Sequence, residues 1–188
     1  MSGQAGDSTE FEGRIDDSTL IALYRYWDER RGTRFAPARR DIDPADIPKL
    51  LPHLLLVEIL DGRYRYRVCG TEVERHFGCS MGGKCVDELM RGEYLAYINS
   101  LYERLTATRA PVYSESAYAN AETGRAGGHS VFRTKRLMLP LSSDGDAVDM
   151  ALVGQVFISN RGVGEQTVLV TQDRFDDLPP SGAAADRA

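Results

Sequence analysis

The segment GCSMGGKC, residues 78–85, comes nearest in this chain to a motif that could do chemistry. It almost matches the phosphate-binding pattern GxxxxGK[ST], in which a lysine contacts phosphates and a hydroxyl group holds Mg²⁺. Cys85 stands where that hydroxyl group is required, and the segment follows a short predicted helix instead of a buried strand. We therefore predict a glycine-rich connection, whose Lys84 could attract an anion, and no nucleotide site.

Histidine and cysteine residues near this segment raise the question of a metal site. His76, Cys79 and Cys85 are close together in the sequence, and Cys69 could be a fourth ligand. Structural zinc sites usually use paired, short ligand spacings, which are missing here, and Cys69 ends a predicted strand. We predict reduced thiols, as in a cytosolic protein, and no metal site.

Candidate catalytic groups are few. Ser142, Ser143 and Asp144 are adjacent, and Glu115 could be combined with Asp87 as a pair of acids. No nucleophile elbow, metal motif or paired-acid spacing supports either set, and serine and aspartate are common turn residues. We predict no catalytic residue and expect that the protein is not an enzyme.

Charge and hydropathy exclude further classes of function. The formal net charge is -5, which argues against a nucleic-acid partner because such binding depends on neutralising phosphates. No apolar run approaches the roughly 20 residues that span a bilayer, and the N-terminus is small and acidic instead of a charged-then-apolar signal. We predict a cytoplasmic protein with no membrane partner.

Residues 40–78 predict a short helix, a strand, a tight turn, a second strand and another short helix. Asp43 can cap the first helix, Pro52 is expected to end it, and Asp61-Gly62 is a strong hairpin signal. Strand alternation then divides the return strand into two sets of side chains, with Tyr64, Tyr66 and Val68 on one face and Arg63, Arg65 and Arg67 on the other.

The remaining elements complete an α+β chain. Residues 1–16 are small and acidic and are predicted to be disordered, as is the tail 173–188, so that one domain is expected over residues 17–172. Apolar periodicity predicts a helix over residues 18–30 and a longer one over residues 93–109. Three strand-like runs follow, over residues 112–118, 129–141 and 150–159.

This order of elements resembles a PAS-like domain, and it is closest to a group of single-PAS proteins common in alphaproteobacteria. The likeness covers about residues 20–160. The resemblance implies a five-stranded antiparallel sheet with helices on one face, here with an extra N-terminal helix. The residues that carry it are Arg40-Asp41-Ile42-Asp43-Pro44, Leu51-Pro52, Gly70-Thr71, Trp27 and Arg31-Gly32.

The same resemblance bears on cofactors. Many haem-binding PAS domains place the iron ligand on the long helix, which contains no histidine here. The light-sensing flavin relatives use an Asn-Cys-Arg-Phe-Leu-Gln signature, whereas Cys79 lies in Gly-Cys-Ser-Met. We therefore expect neither haem nor a covalently reactive flavin, and no other cofactor is predicted.

Three sets of residues are candidates for binding. A small-molecule pocket between sheet and helices, with a filled apolar core as the alternative, is predicted from Tyr66, Phe77, Met90, Tyr94, Ile98 and Met138. A homodimer through the N-terminal helix is predicted because its apolar face requires burial, and packing on its own sheet is the alternative; that face consists of Leu20, Leu23, Tyr24 and Trp27. A protein-docking surface, with an ordinary solvated face as the alternative, is predicted at Arg63, Arg65 and Arg67.

The function predicted from these observations is a non-catalytic sensory or regulatory module. It is expected to bind a small molecule, an unidentified protein partner, or both. Two alternatives remain open from the residues alone. One is a ligand-free adaptor or dimerisation domain, and the other is a small-molecule enzyme on an α+β fold.

Overall fold

The computed structural model describes residues 3–121, 129–159 and 176–177. Its antiparallel strands form one sheet in the order β2-β1-β5-β4-β3-β6. The strands are β1 (Leu54–Leu60), β2 (Arg63–Cys69), β3 (Val112–Ala121), β4 (His129–Leu141), β5 (Met150–Ser159) and β6 (Asp176–Asp177). The helices are α1 (Gly3–Glu12), α2 (Ser18–Arg31), α3 (Thr71–Phe77), α4 (Val86–Leu89) and α5 (Gly92–Thr108). The predicted α+β fold with five antiparallel strands is confirmed, and β6 adds a short edge strand.

The hairpin between β1 and β2 contains both a confirmed prediction and an error. Asp61 and Gly62 have φ angles of 43° and 82°, as a tight turn of this kind requires. Farther along, Leu56 pairs with Val68 while Val57 pairs with Tyr66, so Arg67 is an extra residue in β2. This bulge reverses the alternation of side chains. Val68, predicted to share the buried face of Tyr64 and Tyr66, is therefore 53% exposed on the other face.

The segment before β1 is not the single short helix that the sequence predicts. It consists of three separate 3₁₀ turns, Arg39–Asp41, Pro44–Asp46 and Leu51–His53. Asp43 caps the second turn as predicted, with its carboxylate accepting the Ala45 N–H at 2.9 Å. Pro52 lies inside the last turn and does not end a helix. Closely spaced prolines remove the N–H groups that a continuous α-helix would need.

Helix α2 covers the face of the sheet opposite α5. Leu20, Leu23, Tyr24 and Trp27 are buried there in one apolar cluster with residues of β4 and β5. The apolar face of α2 is thus covered by its own sheet, so its need for burial does not require a second copy of the chain. A homodimer stays a prediction without that argument, and light scattering on the full chain is the measurement that tests it.

Helix α1 corrects the expectation of a disordered segment at residues 1–16. Phe11 and Ile15 are buried, and the Phe11 ring centroid lies 5.2 Å from that of Tyr24. These two side chains bury apolar surface against α2, which the small and acidic composition around them does not reveal. Of the tail predicted at 173–188, only residues 176–177 are described, and they pair with β3; the rest lies outside the described residues.

A glycine in β5 permits the close approach of α2. A Cβ atom at Gly154 would lie 2.6 Å from Leu23 Cδ2 and 2.7 Å from Leu20 Cδ2, closer than carbon atoms pack. We expect Gly154→Ala to lower the free energy of unfolding by about 1–3 kcal/mol, the usual effect of overpacking. Urea denaturation measures this, with Gly82→Ala as the control because nothing lies within 4 Å of its Cβ position. An equal effect of both substitutions would contradict the packing argument.

Candidate functional site

The residues predicted to line a pocket all lie between the sheet and helices α3–α5. Tyr66, Met90, Ile98 and Met138 are buried in one apolar cluster, and Phe77 and Tyr94 pack against it while partly buried. The structure therefore brings the predicted residues together. Most of them fill the core, so they supply the apolar wall of any site here and few of its polar contacts.

Five buried polar side chains of the described residues lie on this side of the sheet in two cross-strand rows. Ser114, Arg136 and Gln155 are register partners across β3, β4 and β5 and form the first row. Ser116 and Thr134 are partners in the second row, one alternation further along. All of these side chains are buried, and Arg136 is only 4% exposed. We call these five residues the polar patch.

Hydrogen bonding within the polar patch is incomplete. Gln155 Nε2 donates to Thr134 Oγ1 at 3.2 Å, and Thr134 Oγ1 donates to the Val156 carbonyl at 3.1 Å. Arg136 Nη2 donates to the Tyr94 hydroxyl at 3.2 Å. Within the part of the chain that the structure describes, Ser114 Oγ, Ser116 Oγ and Arg136 Nη1 have no hydrogen-bond partner. Buried polar groups are nearly always bonded, so these three atoms require an explanation.

In the part of the chain that the structure describes, the charge of Arg136 is not balanced by an acid. Arginine stays protonated in proteins, and none of the ion pairs among the described residues includes Arg136. Four phenols face it, those of Tyr66, Tyr94, Tyr97 and Tyr102. Burial raises the pKa of both Tyr66 and Tyr102 above the usual value, so these two remain neutral. Among the described residues, the guanidinium group of Arg136 thus lies beside phenols and has no carboxylate partner.

Helix α5 covers the polar patch unevenly. From Ile98 onward its inward side chains are buried, whereas Tyr94 and Tyr97 in its first half are only partly buried. Fewer buried contacts imply a lower free energy for local opening of this first half. Tyr94 is also the residue through which α5 is hydrogen-bonded to Arg136.

Sequence reasoning missed the polar patch, although a signal for it exists. Met138 was assigned to the pocket, and alternation along β4 puts Arg136 and Thr134 on the same face. Polar residues two positions away from a predicted core residue in a strand are the pattern that would have found these side chains.

The arginines predicted as a docking surface have acidic partners within the chain. Arg63 is bound to Asp87 at 2.9 Å, and Arg65 and Arg67 both pair with Glu58, Arg65 through Nε at 2.9 Å and Arg67 at 3.7 Å. Ion pairs that stay accessible to solvent are weak and do not exclude a partner. The docking surface stays a prediction, and pairing within the chain accounts for all three side chains.

The glycine-rich segment covers the outer edge of β2. The Tyr66 N–H donates to the Lys84 carbonyl at 2.9 Å, and the Gly83 N–H donates to the Tyr66 carbonyl at 2.7 Å. Paired backbone groups of this kind protect a sheet edge. The segment is therefore a connection that pairs with the edge of the sheet, in agreement with the sequence prediction.

The candidate metal and catalytic residues have structural partners. Cys85, Asp87 and Glu88 lie close enough to offer ligand atoms, but Asp87 is bound by Arg63 and Glu88 accepts the Cys85 N–H. Ser142 and Asp144 form a turn in which Ser142 Oγ donates to the Asp144 carboxylate at 3.1 Å. These side chains thus have partners within the chain, as turn and surface residues commonly do.

A cleft of about 430 Å³ lies on the other side of the sheet. Its walls come from the 3₁₀ turns, from β1 and from the bulged end of β2, and they are mostly aliphatic. Two of the lining residues, Leu51 and Val68, are large exposed hydrophobic side chains. Cys69 also lines the cleft, and burial raises the pKa of its thiol to about 12, so it is not a reactive thiolate. None of the residues predicted for the pocket lines it.

His76 offers a pH-dependent contact beside the apolar cluster. Its ring stacks on Phe157 with centroids 3.7 Å apart, and burial lowers its pKa from the usual value. The folded state therefore favours the neutral ring. The contribution of His76 to folding stability is fully present above about pH 6.5, and it is lost as the pH falls towards the lowered pKa. We expect unfolding free energies measured in urea between pH 7.5 and 5 to fall less steeply in His76→Phe. Parallel curves would contradict this assignment.

Comparison with known proteins agrees with the architecture. A family model described as PAS domain matches residues 15–156 and confirms the resemblance seen in the sequence. No curated protein matches the chain. Within the described residues, no helix has the length and apolar character needed to cross a bilayer. Because the matched residues are well over half of the sequence, the chain belongs to the PAS domain family.

Proposed function

We propose that this protein is a cytoplasmic sensory module that binds a small polar molecule between the sheet and helix α5, without catalysing its conversion. PAS domains are generally sensory or regulatory and not catalytic, which supports the broader part of the proposal. The free thiols of Cys69, Cys79 and Cys85 fit a reducing compartment. The bound state is read by a protein partner.

The incomplete hydrogen bonding of the polar patch carries the proposal. A buried hydroxyl group without a partner costs about 1–3 kcal/mol, and alanine at the same position would avoid that cost. Ser114 and Ser116 both incur it on neighbouring rows of one sheet face. A molecule with polar atoms that enters this space would satisfy both hydroxyl groups and the free Nη1 of Arg136.

Helix α5 is the element through which binding would be signalled. The polar patch is closed in the present structure, since its partnerless atoms have almost no exposed area. A ligand therefore requires the first half of α5 to move away from the sheet, and this half is the less buried one. Binding would shift the population towards the opened form, and a partner that contacts the start of α5 would respond.

Native mass spectrometry of freshly purified protein tests the proposal. We expect an adduct of a few hundred daltons that is lost on denaturation, and a melting temperature that falls when the molecule is removed. An absorption spectrum taken on the same sample checks for haem or flavin. A bare chain mass, with no stabilisation by a small-molecule extract of the host cells, would instead favour the ligand-free adaptor.

The double substitution Ser114→Ala and Ser116→Ala separates a ligand role from a packing role. We expect the unliganded variant to be at least as stable as the original protein, because buried hydroxyl groups without partners are removed. Stabilisation by the ligand should be reduced. Ser100→Ala is the control, since this serine of α5 is exposed and its hydroxyl group donates to the Tyr97 backbone carbonyl at 2.7 Å. A variant that keeps the full ligand-induced shift would contradict the assignment.

A further inference from the structure

We infer that the molecule bound at the polar patch is a small organic carboxylate, and that Arg136 is its charge partner. This inference rests on the proposed function and adds the chemical class of the ligand. It is carried by the charge of Arg136, whereas the proposed function also rests on the partnerless hydroxyl groups of Ser114 and Ser116.

The burial of Arg136 is the first step. A buried charge is normally paired, because removing a cation from water without an anion is costly. Arg136 is buried, and among the described residues its side chain bonds to the Tyr94 hydroxyl while Nη1 has no partner. A negatively charged ligand would supply the missing counter-charge.

The surroundings of the guanidinium group favour a carboxylate. Arginine binds a carboxylate through two parallel N–H groups, and Nη1 is free for such a contact. Ser114 is the register partner of Arg136 and can donate its hydroxyl hydrogen to the same anionic group. The guanidinium group of Arg136 and the hydroxyl group of Ser114 are thus adjacent on neighbouring strands.

The neighbouring row of the sheet suits an organic body. One alternation along from Arg136 lie Val112, Met138 and Val153, which are register partners and are buried. An aliphatic segment attached to the carboxylate can pack on this row. Inorganic anions such as phosphate lack that segment, so an organic acid uses more of the surface than a bare anion does.

Melting of the full chain with matched probes tests the class of ligand. The probes are hexanoate and succinate, their neutral amides, and inorganic phosphate, each at millimolar concentration and constant ionic strength. We expect at least one carboxylate to raise the melting temperature while its amide does not, and phosphate to have a smaller effect. Equal shifts with acid and amide would overturn the inference, as would the absence of any shift with the carboxylates.

Substitutions in β4 locate the charge partner. Arg136→Met is expected to weaken carboxylate binding by about 30-fold or more, the loss typical when one partner of a buried charge pair is removed. Arg136→Lys keeps the charge without the planar fork and is expected to bind with intermediate affinity. Arg133→Met is the matched control, because Arg133 lies on the same strand with an exposed side chain on the opposite face.

The outcomes distinguish this inference from the proposed function. Unchanged carboxylate affinity in a folded Arg136→Met variant, judged by circular dichroism, would overturn the role of Arg136. A neutral molecule found by native mass spectrometry would overturn the carboxylate and leave the proposed function standing. If Arg136→Met does not fold, Arg136→Lys decides, and full affinity in that variant with equal binding of the amide probes would overturn the inference.

Discussion

Replacing Trp27 with alanine is expected to remove about 3–5 kcal/mol of stability, a large share of the roughly 5–15 kcal/mol that holds a domain folded. The Trp27 side chain is 1% exposed, and its indole Nε1 donates to the Pro140 carbonyl at 2.8 Å. The ring also stacks against Tyr24 and lies under the Arg31 guanidinium group. The substitution leaves a cavity between α2 and the sheet and a buried carbonyl without its donor.

Urea denaturation followed by circular dichroism measures the loss. Tyr26→Ala is the control on the same helix, since Tyr26 is only partly buried and its hydroxyl bonds to the Asp43 backbone near the surface. We expect Tyr26→Ala to be the milder change. Near-wild-type stability of Trp27→Ala would show that α2 is not part of the cooperative unit. If Trp27→Ala changed the oligomeric state and left the stability unchanged, the result would support a homodimer contact through α2.

The apolar periodicity of α2 predicted which of its side chains are buried but not what covers them. The structure confirms that one face of the helix contains Leu20, Leu23, Tyr24 and Trp27. The covering surface depends on Gly154, far away in the sequence, whose missing side chain lets α2 approach β5. A single sequence reveals the need for burial, whereas the partner surface is set by tertiary packing.

The β1–β2 hairpin shows a similar limit at shorter range. The Asp61-Gly62 turn is encoded locally, because it depends on backbone conformations that these residue types tolerate. The bulge at Arg67 is not encoded by any turn residue or glycine, and it reverses the face of Val68. Alternation arguments hold only up to such an insertion, so one extra residue moved an apolar side chain from the expected core to the cleft.

The candidate site was half predictable for a related reason. Apolar residues such as Met138 and Ile98 follow from periodicity, and the structure brings them together. Arg136 violates the same periodicity, since a charged residue occupies a core position of β4. Departures of this kind are expected where function overrides stability. A sequence argument that places charged residues at the surface by default does not find them.

Arg136→Met is expected to stabilise the unliganded protein, by about 1–4 kcal/mol if it follows other replacements of buried charged groups by apolar ones. Methionine keeps much of the length of the side chain and removes a cation whose Nη1 has no partner in the described residues. Loss of the hydrogen bond to the Tyr94 hydroxyl offsets part of this gain. A more stable variant would show that Arg136 lowers the stability of the ligand-free domain.

Thermal and urea denaturation of ligand-free protein measure this gain, with Arg133→Met as the exposed control that is expected to change stability little. The decisive comparison adds a carboxylate probe to each protein. The original chain should gain stability with ligand concentration, while Arg136→Met should stay at its raised but constant value. If Arg136→Met is instead destabilised by several kcal/mol, as when a satisfied buried pair is broken, Arg136 has a structural partner and its charge is not reserved for a ligand.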